Sequence, residues 1–262
     1  MKESIHQGFA LAALFALFTL ATSCTREPPV SNDKRTTPRE NEPPSNDTAS
    51  TPHATSTSAI PVLPDSRVPQ AQAPLTIKNP FPEIPRSREN LDLESDPFGP
   101  TSEAEQRWLD AHGFPNARQW ETYTLASDYL LEQAAKSGDG VAGTMLDARH
   151  LSGDPEARTR LFSAGAEGNI FALSSLAAYM MGSKDGNLQV GYSLSRVAEI
   201  RGDTRIAMAR DVGMPRKLDD LEKMQAEADA IRMNNQLDRM YRDKHGSPPP
   251  PPTRRPVVEL ED

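Results

Sequence analysis

Ser127-Asp-Tyr-Leu-Leu-Glu-Gln-Ala134-Ala-Lys-Ser-Gly138-Asp139 is the first of three related phrases that decide how this chain folds. The second runs from Ala157 through Ala164 to Gly168-Asn169, and the third from Gly191 through Ala198 to Gly202-Asp203. Successive copies begin 30 and then 34 residues apart, the period of a helical hairpin stacked on its neighbours. Glycine tolerates the left-handed conformation that closes a helix, and the Asp or Asn after it supplies an oxygen to cap the next one. Each phrase therefore predicts two helices joined by a very short turn and packed antiparallel. The small residue and the alanine of each phrase are expected on one face, letting neighbouring helices approach closely.

Working outward, Ala142 and Leu146 follow Asp139 by three and seven residues, and Ala172 and Leu176 follow Asn169 at the same intervals. Loops at Ser152-Gly153-Asp154 and Gly182–Gly186 close these helices, and Asp154-Pro155 reads as an N-cap with its first helical residue. Upstream, Ser102–His112 reads as a helix with Ser102 as cap, Glu105 at the capping-box offset and Trp108-Leu109 on its apolar side. Gly113 ends it. Pro115 then fits the first turn of a second helix carrying Trp120, Tyr123, Ser127, Leu130, Leu131 and Ala134.

Downstream, Leu218–Lys244 carries one apolar row at Leu221, Met224, Ala228 and Ile231 and a shifted one at Met233, Leu237 and Met240. Its expected role is a C-terminal helix capping the last repeat; a dimerising coiled coil is the alternative. The expected fold is all-α: a short solenoid of helical hairpins over residues 101–246, flanked by disordered segments.

The phrases Gln133–Asp139 and Gly165–Asn169, with Ala142/Leu146 and Ala172/Leu176 in phase, resemble Sel1-like repeats, relatives of the tetratricopeptide repeat. The resemblance covers roughly residues 120–212. In the third copy Ile206 and Arg210 stand where alanine and leucine are expected. The resemblance implies protein–protein interaction, with an envelope protein or peptide as partner.

Residues 1–23 have the layout of a signal peptide, with Lys2 before a continuous apolar run, Phe9–Ala21, too short for a membrane span. Leu20-Ala-Thr-Ser23-Cys24 resembles a bacterial lipobox, which implies cleavage between Ser23 and Cys24 and acylation of Cys24, the chain's single cysteine. Ordinary signal-peptide cleavage is the alternative. Several acyl chains, at ~0.8 kcal/mol per buried CH₂, hold a protein stably on a membrane. With Thr25 after the cysteine, the pattern resembles an outer-membrane lipoprotein facing the periplasm.

Residues 24–100 are rich in Pro, Ser, Thr and charge, a composition that buries too little apolar surface to offset ordering entropy. They are expected to form a disordered tether with a reach of roughly 50 Å. Leu75–Phe98 is less polar and reads as the end of that tether, as a short docking peptide or as a strap on the domain. Residues 247–262, opening with Pro248–Pro252, read as a disordered polyproline tail, a spacer or a ligand for an aromatic groove.

Composition narrows the chemistry. A net charge of −8 gives no electropositive surface for phosphate contacts, so nucleic acid is not an expected partner. One cysteine allows no intramolecular disulfide. The five histidines, His6, His53, His112, His150 and His245, fall at no paired ligand spacing; His112, His150 and His245 come at helix ends, where the C-terminal dipole suits them. Asp219-Asp220 reads as an N-terminal charge preference. Neither a nucleophile elbow nor a phosphate loop occurs, and Arg201-Gly202-Asp203 reads as a turn between helices. No catalytic, metal or cofactor residues are assigned, and the chain is expected not to be an enzyme. The alternatives are an envelope enzyme acting on cell-wall-related compounds and an outer-membrane assembly factor.

Overall fold

In the computed structural model the residues described are 78–256, and among them every regular element is helical. There are nine: α1 Glu103–Ala111, α2 Ala117–Leu125, α3 Asp128–Lys136, α4 Gly140–Arg149, α5 Pro155–Ala166, α6 Ile170–Gly182, α7 Leu188–Ile200, α8 Thr204–Gly213 and α9 Asp220–His245. The signal segment, Ser23-Cys24 and most of the expected tether lie outside the described residues. None of the described helices is long and apolar enough to cross a membrane.

The glycine steps work as the sequence predicts. Gly138, Gly168 and Gly202 have φ of 93°, 90° and 118°. Beyond each glycine, the N–H of Asp139, Asn169 or Asp203 donates back to the carbonyl of Ala134, Ala164 or Ala198, at 3.0, 3.1 and 3.0 Å. This is the long bond of a Schellman closure, and it makes the alanine of each phrase a hydrogen-bonding partner as well as a small residue. The same Asp or Asn then caps the helix that follows: Asp139 accepts from Ala142 N–H, Asn169 from Ala172 N–H and Asp203 from Arg205 N–H. Asp154 caps α5 with Pro155 as its first residue.

Short turns of this kind keep sequential helices in contact, and each helix from α3 to α7 packs on the one that follows it. Helix α4 also touches α2 and α6, while α9 lies across α5 and α7. The core runs through all of them, from Trp108, Leu109 and Tyr123 to Phe171, Leu194, Val197 and Leu237. At 26 residues, α9 is about 39 Å long.

Three expectations need correction. The predicted second helix is two helices, because Ala126 is extended (ψ 148°) and Ser127 caps α3 by accepting from Leu130 N–H. Ser127 is thus an exposed cap and not a packing residue, unlike Ala157 and Gly191, which are buried. Pro115 precedes the α2 cap, Asn116, whose capping box is completed by Gln119.

On α9 the face that meets the core is Ala226, Ala230 and Leu237, with Met233 and Met240 beside them. The row at Leu221, Met224 and Ile231 points outward, at 63%, 70% and 58% exposure. Alanines win the inner face because α9 crosses α7 closely: the Ser193 hydroxyl donates to the Ala226 carbonyl at 3.0 Å.

The third correction concerns both flanks. Residues 79–100 form a strap packed on the helices, which is one of the readings open for Leu75–Phe98 and not the disordered tether, and residues 253–256 return to the helices where a disordered tail is expected. Phe81 packs on Tyr123 at 5.1 Å between ring centroids, and Phe98 meets Phe114, Trp120 and Phe171 edge-on at 5.2, 5.7 and 5.7 Å. Between these rings Arg88 is fully buried. Its side chain donates to Asp96 at 2.7 Å, Asp110 at 2.6 Å and the carbonyls of Phe114 and Pro115 at 3.0 and 2.5 Å. A guanidinium satisfied on every side can leave water, so a few anchors hold a segment whose average composition is polar. Residues 257–262 of the expected tail lie outside the described residues.

Candidate functional site

Among the described residues, a cluster of buried charge lies where the third glycine step meets α1. Helix α1 starts at the Ser102 cap, and its first turn carries Glu105 inward. That carboxylate accepts from the Thr101 N–H and hydroxyl, at 2.7 and 2.9 Å, so it secures the entry to α1 from the residue before the cap. It is also fully buried and faces two arginines. Arg205, one residue into α8 from its N1 position, reaches it at 3.1 Å and donates to the Gly99 carbonyl at 2.7 Å. Arg255 reaches it from the proline-rich segment, Nε to Oε1, at 2.7 Å.

Arg255 is the anchor of that segment. Gly246, left-handed at φ 70°, ends α9. Five prolines follow, with φ held near −65°, and they lie outside any helix. Residues 247–254 are almost wholly exposed, whereas Arg255 is 6% exposed. Besides Glu105, its guanidinium meets Asp203 at 3.4 Å and donates to the Phe98 carbonyl at 3.1 Å. It lies 5.6 Å from the Trp108 ring centroid and 5.9 Å from that of Phe114, within cation–π range.

The backbone of the segment is held as well. Trp108 donates its indole N–H to the Thr253 carbonyl at 2.8 Å. Arg255 N–H donates to the Gly202 carbonyl at 2.9 Å, and the Thr204 hydroxyl donates to the Arg255 carbonyl at 3.3 Å. At Gly202 the close approach depends on glycine: a Cβ there would run into the Thr253 carbonyl.

The electrostatics follow from the count of charges. Two buried carboxylates, Glu105 and Asp203, face one arginine of the helical body, Arg205, so Arg255 brings the cluster to neutrality. Burial pushes the Asp203 carboxyl above its usual range, and the Arg255 cation pulls against that. Burial and repulsion from Arg255 lower the pKa of Arg205. Nearby, His112 stacks on Trp108 at 4.1 Å, and burial lowers its pKa. The arrangement can hold a guanidinium and an extended main chain.

The other residues singled out in the sequence are dispersed. His112 and His150 are the C-cap residues of α1 and α4, and His245 is the last residue of α9. His150 pairs with Asp128, and His245 with Glu167. Among the described residues, no three His, Cys, Asp or Glu side chains are grouped to hold a metal ion. Arg201 of the Arg-Gly-Asp tripeptide pairs with Asp238 of α9 at 2.6 Å, while Gly202 and Asp203 are buried, so the tripeptide is a turn. Asp219 caps α9 in a capping box with Glu222. Ser23 and Cys24 are outside the described residues.

Sequence reasoning gave Glu105 and Asp203 capping roles only, and passed over Arg255. The available signal was an arginine pair set between prolines, Pro252-Thr-Arg254-Arg255-Pro256, after a run that cannot be helical. No protein-family signature, curated protein or solved structure matches the chain.

Proposed function

We propose that this chain is a lipid-anchored, periplasm-facing lipoprotein of the bacterial outer membrane, whose degenerate Sel1-like helical repeats act as a scaffold for binding an envelope protein or peptide. The observation that carries the reading is the cleft between α1 and the Gly202 turn, which holds an extended segment by one buried arginine and by its main chain. A surface that seats an extended segment in this way has the chemistry of a peptide-binding surface. The in-phase glycine steps and the sequential packing from α3 to α8 support the repeat assignment. The Cys24 context supports the anchor, and the binding role requires no catalytic residues, cofactor or nucleic acid.

In-cell photo-crosslinking from exposed positions around the cleft, such as Arg254 and Glu103, tests the scaffold. A discrete protein adduct is expected, and recovery of none above background overturns the binding role. Metabolic labelling with a fatty-acid probe tests the anchor: label should be lost in Cys24→Ser, and its retention sinks the lipidation.

A further inference from the structure

We propose that the cleft around Glu105 and Asp203 is an arginine-reading peptide site, and that residues 253–256 are its intramolecular ligand, exchangeable for a proline-flanked, arginine-bearing peptide of a partner. The inference deepens the binding role proposed above and rests on it for the existence of a partner.

The cleft treats the segment as a ligand, in contrast to the strap. From residue 79 to 100 the strap is buried at Phe81, Arg88, Asp96 and Pro100, at intervals along its length. Between residues 247 and 255 burial occurs at Arg255 alone. One side chain enters a charged pocket, two carbonyls and one N–H of its backbone are read by Trp108, Thr204 and Gly202, and the flanking prolines stay in water. An indole N–H donating to a carbonyl beside a proline run, with aromatic rings under the next side chain, is how proline-rich peptides are gripped in general. Proline runs suit such exchange because their conformation is set before binding and little entropy is lost.

The chemistry of the pocket selects arginine. Nε, Nη1 and Nη2 are each directed at a different acceptor: Glu105, Asp203 and the Phe98 carbonyl. Lysine presents one ammonium at the end of a flexible stem and cannot meet three acceptors spread around a plane, nor stack on Trp108 in the same manner. The acidic pair also demands a cation from whatever occupies the cleft, since Arg205 balances one carboxylate and leaves the other. An aliphatic or acidic side chain would strand a buried carboxylate. The short connection from Gly246 gives the intramolecular segment an effective concentration on the order of millimolar. A partner peptide therefore has to outcompete it, and the segment acts as a built-in threshold.

The test uses the full chain with Arg255→Ala, which keeps every other residue, and a fluorescently labelled synthetic peptide of residues 248–256. Fluorescence polarisation should show the peptide binding the Arg255→Ala chain about tenfold or more tighter than the unsubstituted chain. A peptide carrying Arg255→Lys should bind about tenfold or more weaker than the native-sequence peptide. A folded Arg255→Ala chain that binds neither peptide at millimolar concentration, or both equally, overturns the proposal.

Should Arg255→Ala fail to fold, a protease site placed within Pro248–Pro252 of the otherwise native chain answers the same question, because the chain folds before it is cut. After cutting, the fragment should exchange with labelled peptide within minutes. A fragment that stays without exchange for a day is a structural element and overturns the proposal, as does a cut chain that loses the fragment and takes up no peptide. Loss of the peptide result leaves the scaffold standing if crosslinking finds a partner on another face. A peptide result without a crosslinked partner establishes the site and removes the cellular scaffold.

Discussion

Arg255 and Glu105 lie 150 residues apart in the chain, and their charged groups meet at 2.7 Å with both side chains out of solvent. The contact joins the segment after the last helix to the first turn of the first. The same first turn receives Arg205 from α8, so three distant parts of the sequence converge on one carboxylate. Such convergence makes the third glycine step different from the other two. Asp139 accepts at its second oxygen from the Tyr123 hydroxyl at 2.6 Å, and the Asn169 amide donates to the Thr144 hydroxyl at 2.9 Å; Asp203 meets an arginine of the segment after α9 in place of a helix side chain.

Arg88→Ala should destabilise the chain by about 3–5 kcal/mol, the loss expected when one side of a buried ion pair is removed. Asp96 would lose its buried partner, and two backbone carbonyls would lose their donor. Arg88→Lys should recover only a minor part, because one ammonium cannot serve acceptors on both edges of a guanidinium. Urea unfolding followed by circular dichroism measures both. A loss below about 1 kcal/mol would mean the strap contributes as little as a surface ion pair.

Gly202→Ala and Gly168→Ala form a matched pair. Both residues are left-handed, and alanine there costs about 1–2 kcal/mol in conformational strain. Around Gly168 there is open space, whereas at Gly202 the added methyl would meet the Thr253 carbonyl. Only Gly202→Ala should therefore release the proline segment, speeding tryptic cleavage after the exposed Arg254 by about tenfold or more, the effect of ~1.4 kcal/mol on a local opening. Equal cleavage rates in the two variants would remove the steric argument.

Leu237→Ala should cost about 2–5 kcal/mol, since the side chain is fully buried between α9 and the core. Met224→Glu, on the outward row, should change stability by no more than about 0.5 kcal/mol. Thermal or urea unfolding separates the two by a wide margin. The reverse order would mean that α9 presents its other face to the core.

Glu222 sits at the start of α9, where the Arg216 guanidinium, and then the Asp219 N–H, pull its carboxyl down to about 2. A carboxylate depressed in the folded chain contributes stability that is complete above the unfolded value, about 4.3. That contribution is lost as pH falls through the folded value, so the window runs from about pH 4 down to about 2. Carboxyl-carbon NMR should find the Glu222 midpoint at the bottom of that window, and Arg216→Ala should return it toward the ordinary glutamate range. An ordinary midpoint in the native chain would show that the pair does not form.

What could be read in the sequence was local, and what could not was remote. The glycine steps and the Asp154-Pro155 start were legible because each is settled within six residues by backbone geometry, whereas Asp219-Asp220, read only as a charge preference, holds the cap of α9. The break between α2 and α3 was missed because Ser127 also fits the small-residue position of the repeat phrase. On α9 the larger side chains drew attention, while the packed face is made of Ala226 and Ala230, whose value lies in how closely α7 approaches. The strap was only one alternative among several, and the proline segment was hidden, for a further reason. Their composition is that of disordered chain, and their order comes from two arginines whose partners are 8 to 157 residues away.

The position of Arg88 bears on how the domain would carry load. A pull applied at residue 78 meets the Phe81 ring first and Arg88 next, before any helical turn of α1 is strained. Because both the main-chain N–H and the side chain of Arg88 bind Asp110, such a pull would reach the last turn of that helix, away from its first turn. A load arriving at residue 78 would thus be taken up at Arg88 before it reached the cleft at Glu105, as a clamp takes the pull on a cable.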